Sequence, residues 1–242
     1  MVQVHSLDAV GDGLAAGNAK WVFSGDVSKH FDVHVGKSVP FYHEGHKLVE
    51  GLSDFFLGDG SLCYEIGCST GTLIALLAQH HAGKSARFVG IDIEPDMCAQ
   101  ARGRCDPLPN VEIIDADSTT YPFEQADLII AYYTLQFVPP KYRQSLLNRL
   151  YCSLNWGGAI ILFEKVRAPD ARFQDIMTQL YLDYKIEMGY QAGEIIGKTR
   201  SLKGVLEPFS TRGNLELLSR AGFSDVMTVM KNVCFEGFLA IK

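Results

Sequence analysis

Residues 61–66 form a short apolar run with a carboxylate, Glu65, next to its end, and it breaks into the small-residue segment Gly67-Cys-Ser69-Thr-Gly71 before a helical apolar pattern begins. A strand that turns through glycines into a helix is the opening unit of a parallel sheet covered by helices, and it excludes most all-α and all-β folds. The downstream chain repeats the rhythm. Strands are expected at 61–66, 87–92, 111–114, 127–132 and 158–164, with helices at 71–81, 95–104 and 140–152. Asn155-Trp-Gly-Gly158 reads as a turn before the fifth strand. Residues 170–200 break the alternation and read as a helical insertion, with Phe173, Ile176, Met177, Leu180, Tyr181 and Tyr184 on one side. A helix at 211–221 stops at Ala221-Gly222, and strands at 224–231 and 233–241 are joined so tightly that they must be antiparallel.

Ahead of the loop, Val27, Phe31 and Val35 recur at helical spacing within Trp21–Tyr42 until Pro40, and His46–Phe56 reads as a second helix. Residues 1–20 carry little periodic signal and are expected to be partly disordered. The expected organisation is therefore a helical cap over 1–56 and a main domain over 57–242, with a lid insertion at 168–205.

With 242 residues the chain suits one domain and buries about 70–75% of its unfolded surface, so no disulfide or metal staple is needed. The six cysteines contain no Cys-x-x-Cys pair and suit a reducing cytosol, so a cytoplasmic enzyme is expected. No signal-peptide pattern opens the sequence, no apolar run is long enough for a membrane helix, and a net charge of −6 makes nucleic acid an unfavoured partner.

Three enzyme classes use a loop like 67–71. Dinucleotide sites want Gly-x-Gly-x-x-Gly, which is absent. A hydrolase elbow wants Gly-x-Ser-x-Gly, which Gly67-Cys-Ser69-Thr-Gly71 matches, but it also needs a late histidine, and the last two of the chain are His80 and His81. An S-adenosylmethionine (SAM) site wants acids in order. Glu65 precedes the loop, Asp92 ends the second strand where a carboxylate accepts from ribose hydroxyls, and Asp117-Ser118 follows the third, within reach of the adenine amine. Each alone is equally a helix cap. The three in order favour SAM.

The loop resembles motif I of class I SAM methyltransferases, and the chain from Trp21 to Lys242 resembles the carboxy-S-adenosylmethionine synthase family and its methyltransferase relatives. Ser38-Val-Pro-Phe-Tyr42, Glu65-Ile-Gly-Cys-Ser69, Thr134-Leu-Gln-Phe137, Leu154-Asn-Trp-Gly-Gly158, Glu164-Lys165 and Ala221-Gly-Phe223 carry the likeness. It implies an α/β, Rossmann-like, seven-stranded, mostly parallel sheet with an antiparallel last strand. It also implies that Tyr42 closes over SAM, that Gly67 and Ser69 line its amino-acid portion, and that Asp92 and Ile93 hold ribose and adenine. Asp117 and Ser118 would meet the adenine edge, and Tyr132-Tyr133 the sulfonium. With Glu65, these are the cofactor-binding candidates; His43, Tyr133 and Arg200 are the catalytic ones.

Two departures separate the chain from the synthases. Tyr132 stands where they resemble Asn, and Lys198 is followed by Thr199 with Arg200 one place later, a rotation of about 100° on a helix. The favoured function is methyl transfer from SAM to a small, carboxylate-bearing acceptor, leaving S-adenosylhomocysteine. The alternatives are a carboxy-SAM synthase, taking a prephenate-like donor and serving a tRNA-modifying partner, and a non-catalytic SAM-binding or dimerisation module. His43 and His46 lie three apart, not at His-Glu-x-x-His spacing, so no metal is expected. The insertion is also expected to supply a homodimer surface.

Overall fold

The computed structural model describes residues 8–242; the first seven lie outside it. The chain runs β1 (Asp8–Gly11), β2 (Leu14–Ala16), α1 (Asp26–Ser38), α2 (Tyr42–Ser53), β3 (Leu62–Ile66), α3 (Thr72–His80), β4 (Arg87–Asp92), α4 (Pro95–Cys105), β5 (Val111–Asp115) and β6 (Ala126–Tyr132). It continues through a 3₁₀ turn at Leu135–Phe137, α5 (Pro140–Ser153), β7 (Leu154–Lys165), α6 (Ala171–Glu187), α7 (Ala192–Ser201), α8 (Thr211–Ala221), β8 (Asp225–Asn232) and β9 (Phe235–Ile241).

Seven strands form one sheet in the order β5-β4-β3-β6-β7-β9-β8. Only β9 runs against the rest, pairing antiparallel with both β7 and β8. All of β3 is buried, as an interior parallel strand covered on both faces must be. One apolar layer under the sheet gathers Val49, Leu73, Leu77, Phe88 and Phe163; the other gathers Tyr64, Ile91, Leu146, Leu150, Leu218 and Phe238. Helix boundaries follow local chemistry. Pro95 and Pro140 open α4 and α5, the Asp170 and Ser210 side chains cap α6 and α8, and Gln191 with Glu194 forms a capping box on α7.

The order places a switch point between β3 and β6. From β3 the chain builds outward through β4 and β5, then returns to lay β6 on β3's other side, opening a crevice at their carboxyl ends.

The expected disorder of residues 1–20 does not hold from Asp8 on. Residues 8–16 form a hairpin whose two-residue turn, Asp12-Gly13, has φ of 53° and 77°, the backbone that a tight hairpin turn requires. Val10 is buried, and Gly197 of α7 packs on the Ala9 carbonyl. The expected helical cap is therefore a hairpin plus two helices, and it docks on the insertion. The turn read at Asn155–Gly158 lies inside β7 as an irregularity: Ala126 pairs with Leu154 and Leu128 with Ala159. Helix α2 starts at Tyr42, four residues before the expected start. No helix among the described residues is long and apolar enough to cross a membrane.

Candidate functional site

A cavity of about 920 Å³ opens at the switch point, bounded below by the strand ends and above by α1, α6 and α7. That is near the upper end of the ~300–1,000 Å³ typical of ligand pockets, enough for a cofactor and a second small molecule.

The floor is built by β3, β4 and their loops. Gly67 and Cys68 N–H groups donate to the Ile91 carbonyl at 2.7 and 3.0 Å, stitching the loop to β4. The Asp92 carboxylate accepts from Ser69 N at 2.8 Å and Glu94 N at 2.9 Å, locking two turns onto one side chain. Burial raises its pKa against the pull of those donors. Gly67 has a φ of 68°, and a Cβ there would lie 2.9 Å from Thr134 Cβ, with the rest of that side chain nearer still. Glu65 is 3% exposed, its Oε2 has no partner, and burial pushes its carboxyl well above the usual range, which favours the neutral acid. Ile93 is exposed into the crevice, and the exposed Asp117 accepts from Thr119 N at 2.8 Å in a turn beside Ser118.

The β6 end supplies two buried tyrosines. Tyr132 donates its hydroxyl to the Tyr42 carbonyl at 2.6 Å and packs against His46 and Phe163. Tyr133 follows with a φ of 58°, a rare conformation for a bulky residue and one that clusters at functional sites. Its buried hydroxyl has no partner, and its ring lies 6.2 Å from that of Tyr42. His46 is buried, and desolvation pushes its pKa down to about 4, leaving it neutral at pH 7.

The roof differs in charge. Lys165 from β7, Lys185 from α6 and Lys198 from α7 all line the cavity. Their close neighbours are rings: Lys165 Nζ lies 4.0 Å and Lys185 Nζ 4.5 Å from the Tyr181 centroid, and Lys198 sits over Trp21. Among the described residues none of the three is in an ion pair. Burial, then repulsion from Lys165, lowers Lys185 to about 7; burial, then Lys185, lowers Lys198 to about 5. A bound anion would reverse both shifts.

The structure gathers Tyr42, Glu65, Gly67, Ser69, Asp92, Ile93, Asp117, Ser118, Tyr132 and Tyr133 around this cavity. His43 and Arg200 are not among its walls. His43 follows Tyr42 by one helical step, about 100°, and faces solvent beside Gly36. Arg200 is about 200° around α7 from Lys198; its side chain is 59% exposed and pairs with Asp8 at 3.7 Å. Lys185 was not picked out in the sequence, although its i,i+4 spacing from Tyr181 is a signal that would have found it.

Comparison with known proteins adds the family. A methyltransferase-domain profile matches residues 64–158. The carboxy-S-adenosyl-L-methionine synthase of Staphylococcus epidermidis is 37% identical over 92% of this chain and 97% of its own length. The enzyme of that name from Sulfurimonas denitrificans is 34% identical over 91% and 94%. The chain belongs to the carboxy-S-adenosyl-L-methionine synthase family. Among solved structures, the pyocyanin biosynthetic protein PhzM superposes with a TM-score of 0.64 at 18% identity, over 90% of this chain and 58% of that one. Human N-acetylserotonin methyltransferase in complex with SAM gives 0.55 at 20% identity, over 84% and 55%. At such identities these share the fold, and the chain spans little more than half their length. The protein is a SAM-dependent enzyme with a class I methyltransferase fold. The cavity floor suits that cofactor: small loop residues, a carboxylate at the second strand end and a partnerless buried carboxyl.

Proposed function

We propose that the chain methylates a small carboxylate-bearing molecule held between Tyr133 and the three roof lysines, with SAM on the floor. The single observation that carries this reading is the set of three lysine side chains lining one cavity without a carboxylate partner among the described residues. An anionic acceptor supplies that partner, and its charge turns weakly basic lysines into ammonium groups.

In this reading Gly67 and Ser69 line the amino-acid portion of SAM, beside the neutral acid of Glu65. Asp92 has lone pairs left over from Ser69 and Glu94 for the ribose hydroxyls. Ile93 covers the adenine face, with Asp117 and Ser118 at its edge. Tyr42, Tyr132 and Tyr133 surround the sulfonium, and the free Tyr133 hydroxyl touches the acceptor. Catalysis comes chiefly from aligning the two reactants, since methyl transfer needs in-line approach. His43 and Arg200 have no part in it.

The hairpin, α1 and the insertion form one lid over the main domain. On α6, exposed Phe173, Ile176 and Leu180 at i, i+3 and i+7 are the surface through which a homodimer would form. The six free cysteines suit a reducing cytosol, and the net negative charge makes a nucleic-acid partner unfavourable.

Carboxy-SAM synthesis is the second reading, favoured by the names of relatives at 33–37% identity. Against it stands the outward Arg200, where the family resemblance wants a guanidinium facing the extra carboxylate. Incubation with SAM and a panel of small carboxylates, read by mass spectrometry, separates the two. S-adenosylhomocysteine plus a methylated acid supports methyl transfer. A retained cofactor one carboxylate heavier than SAM replaces it with the second reading.

A further inference from the structure

Away from the cavity, α2 and α3 end side by side, and each ends on residues able to ligate a metal. Asp54 caps α2, and His80 and His81 close α3. One ligand atom from each of Asp54, His80 and His81 lies within 4.8 Å of the others, the one set of this kind among the described residues; Asp54 Oδ1 is 3.0 Å from His80 Nε2 and 4.0 Å from His81 Nδ1. Two helix C-termini bring partial negative charge to the same place, which favours a cation.

The hydrogen bonds fix how His81 presents itself. Ser53 Oγ donates its only proton to the Glu50 carbonyl at 2.6 Å, so toward His81 Nε2, 2.7 Å away, it can only accept. His81 therefore carries its proton on Nε2 and a bare lone pair on Nδ1. That Nδ1 is buried and has no partner, in a residue 1% exposed whose ring is stacked on Phe88. It faces Asp54 Oδ1 at 4.0 Å, two acceptors with no proton to share. A cation between them resolves the conflict.

His80 presents the mirror problem. Its Nε2 is 3.0 Å from Asp54 Oδ1 and its Nδ1 is 3.4 Å from Glu50 Oε1, so a neutral ring can donate to only one carboxylate. With a metal on Nε2, the Nδ1 proton goes to Glu50, the carboxylate–histidine–metal arrangement that orients ligating imidazoles. Ser53 plays the same part for His81. Lys84, whose Nζ is 3.9 Å from Asp54 Oδ1, is the competing cation, but it is anchored on the Leu57 carbonyl at 2.8 Å.

We infer that Asp54, His80 and His81 form a divalent-cation site, with Zn²⁺ the ion its donors fit and water in the fourth position. Two imidazoles and one carboxylate are a zinc donor set. Tetrahedral Zn²⁺ with bonds of ~2.0–2.1 Å keeps its ligands about 3.4 Å apart. The observed 3.0 and 4.0 Å straddle that value, and the partly exposed His80 ring is free to swing inward. The ion would clamp together the far ends of the two helices whose near ends carry Tyr42 and the glycine loop.

The test is titration of the chelator-treated full-length protein with Zn²⁺ at pH 7.5, by calorimetry and thermal melting. One ion bound at micromolar affinity or tighter is expected, with a rise in Tm. Asp54→Asn and His80→Gln, both at exposed or partly exposed positions, should each weaken it at least tenfold while leaving SAM affinity unchanged. His81→Gln should do the same, but its burial risks the fold, so the first two decide. Zn²⁺ binding weaker than about 100 µM, preference for Mg²⁺ or Ca²⁺, or unchanged affinity in both variants overturns the site. The last result would place the ion elsewhere, as on the exposed Cys152 thiol.

Discussion

The floor and roof of the cavity are made by opposite means. The floor is one sheet of seven strands over two apolar layers, and its functional loops are held by backbone donors within a few residues of each strand end. The roof joins pieces from opposite ends of the sequence through buried polar groups. The Asp12 carboxylate, in the hairpin turn, accepts from His34 and Lys37 of α1 at 2.8 and 2.6 Å and from Tyr190, before α7, at 2.9 Å. Backbone bonds from Ala19 and Trp21 to the Arg200 and Ser201 carbonyls add to this joint. The floor holds two buried carboxyls of raised pKa, Glu65 and Asp92, and so loses stability as pH rises, whereas the roof's ion knot loses it as pH falls. The region proposed to admit substrate is thus also the one whose stability falls with acid.

Acid provides the largest separation between the two. Desolvation, with repulsion from Lys198, lowers His34 to about 4. Its unfolded value is about 6.5, so between those limits the unfolded chain binds the extra proton and stability falls as pH falls. A depression of this size corresponds to about 3 kcal/mol as an upper figure, complete near pH 4. His46, in α2 and packed on Tyr132, adds a loss in the same window. Hydrogen exchange between pH 7 and 4.5 should show residues 8–38 and 190–201 losing protection before β3, β4 and β6. Simultaneous loss throughout would mean that roof and floor open as one unit.

A substitution in the floor should act differently. Gly67→Ala places a methyl group against Thr134 at a positive φ, a strain of roughly 1–3 kcal/mol. SAM affinity should drop on the order of 100-fold by calorimetry, equivalent to about 2.7 kcal/mol, while the roof's exchange pattern stays as it was. Wild-type SAM affinity in a folded variant would show that the backbone here does not approach the cofactor.

The floor was also the legible part. Glu65, Asp92 and Asp117 could be ordered from sequence because each follows a strand whose apolar run is short and continuous, and parallel topology then fixes which ends share the crevice. The roof has no such period. A three-residue strand, Leu14–Ala16, is too short to alternate visibly, and the turn signal Asp12-Gly13 was lost among glycines. That α7 lies on the hairpin is a contact between residues about 190 apart, beyond any local pattern. Side-chain direction was equally hidden. A phase difference of one residue decides whether His43 or Tyr42 enters the cavity, and one of two residues whether Arg200 or Lys198 does.

Lys198 tests the roof's chemistry without touching the floor. Lys198→Met should leave SAM affinity within twofold and weaken the carboxylate substrate about tenfold, ~1.4 kcal/mol, seen as a rise in KM. Protons are taken up when an anion binds beside lysines of lowered pKa, so wild-type affinity for that acid should be strongest below pH 7. It should then weaken as pH rises through the Lys185 value of about 7. A KM indifferent both to pH and to Lys198 would take the anion out of the roof.

Arg200 is the smallest effect and the sharpest control. Its guanidinium is 3.7 Å from Asp8, with side chains 59% and 37% exposed, a surface pair of the kind worth about 0–1 kcal/mol. Arg200→Ala should change Tm, SAM affinity and KM by less than the errors that resolve Lys198→Met. The two residues sit two positions apart on one helix and carry the same charge, so they differ only in the face from which they project. An Arg200→Ala variant that loses carboxylate turnover while Lys198→Met keeps it would mean that α7 turns by about 160–200° in the working enzyme. It would also restore the guanidinium-to-carboxylate contact expected of a carboxy-SAM synthase, and with it the second reading of the function.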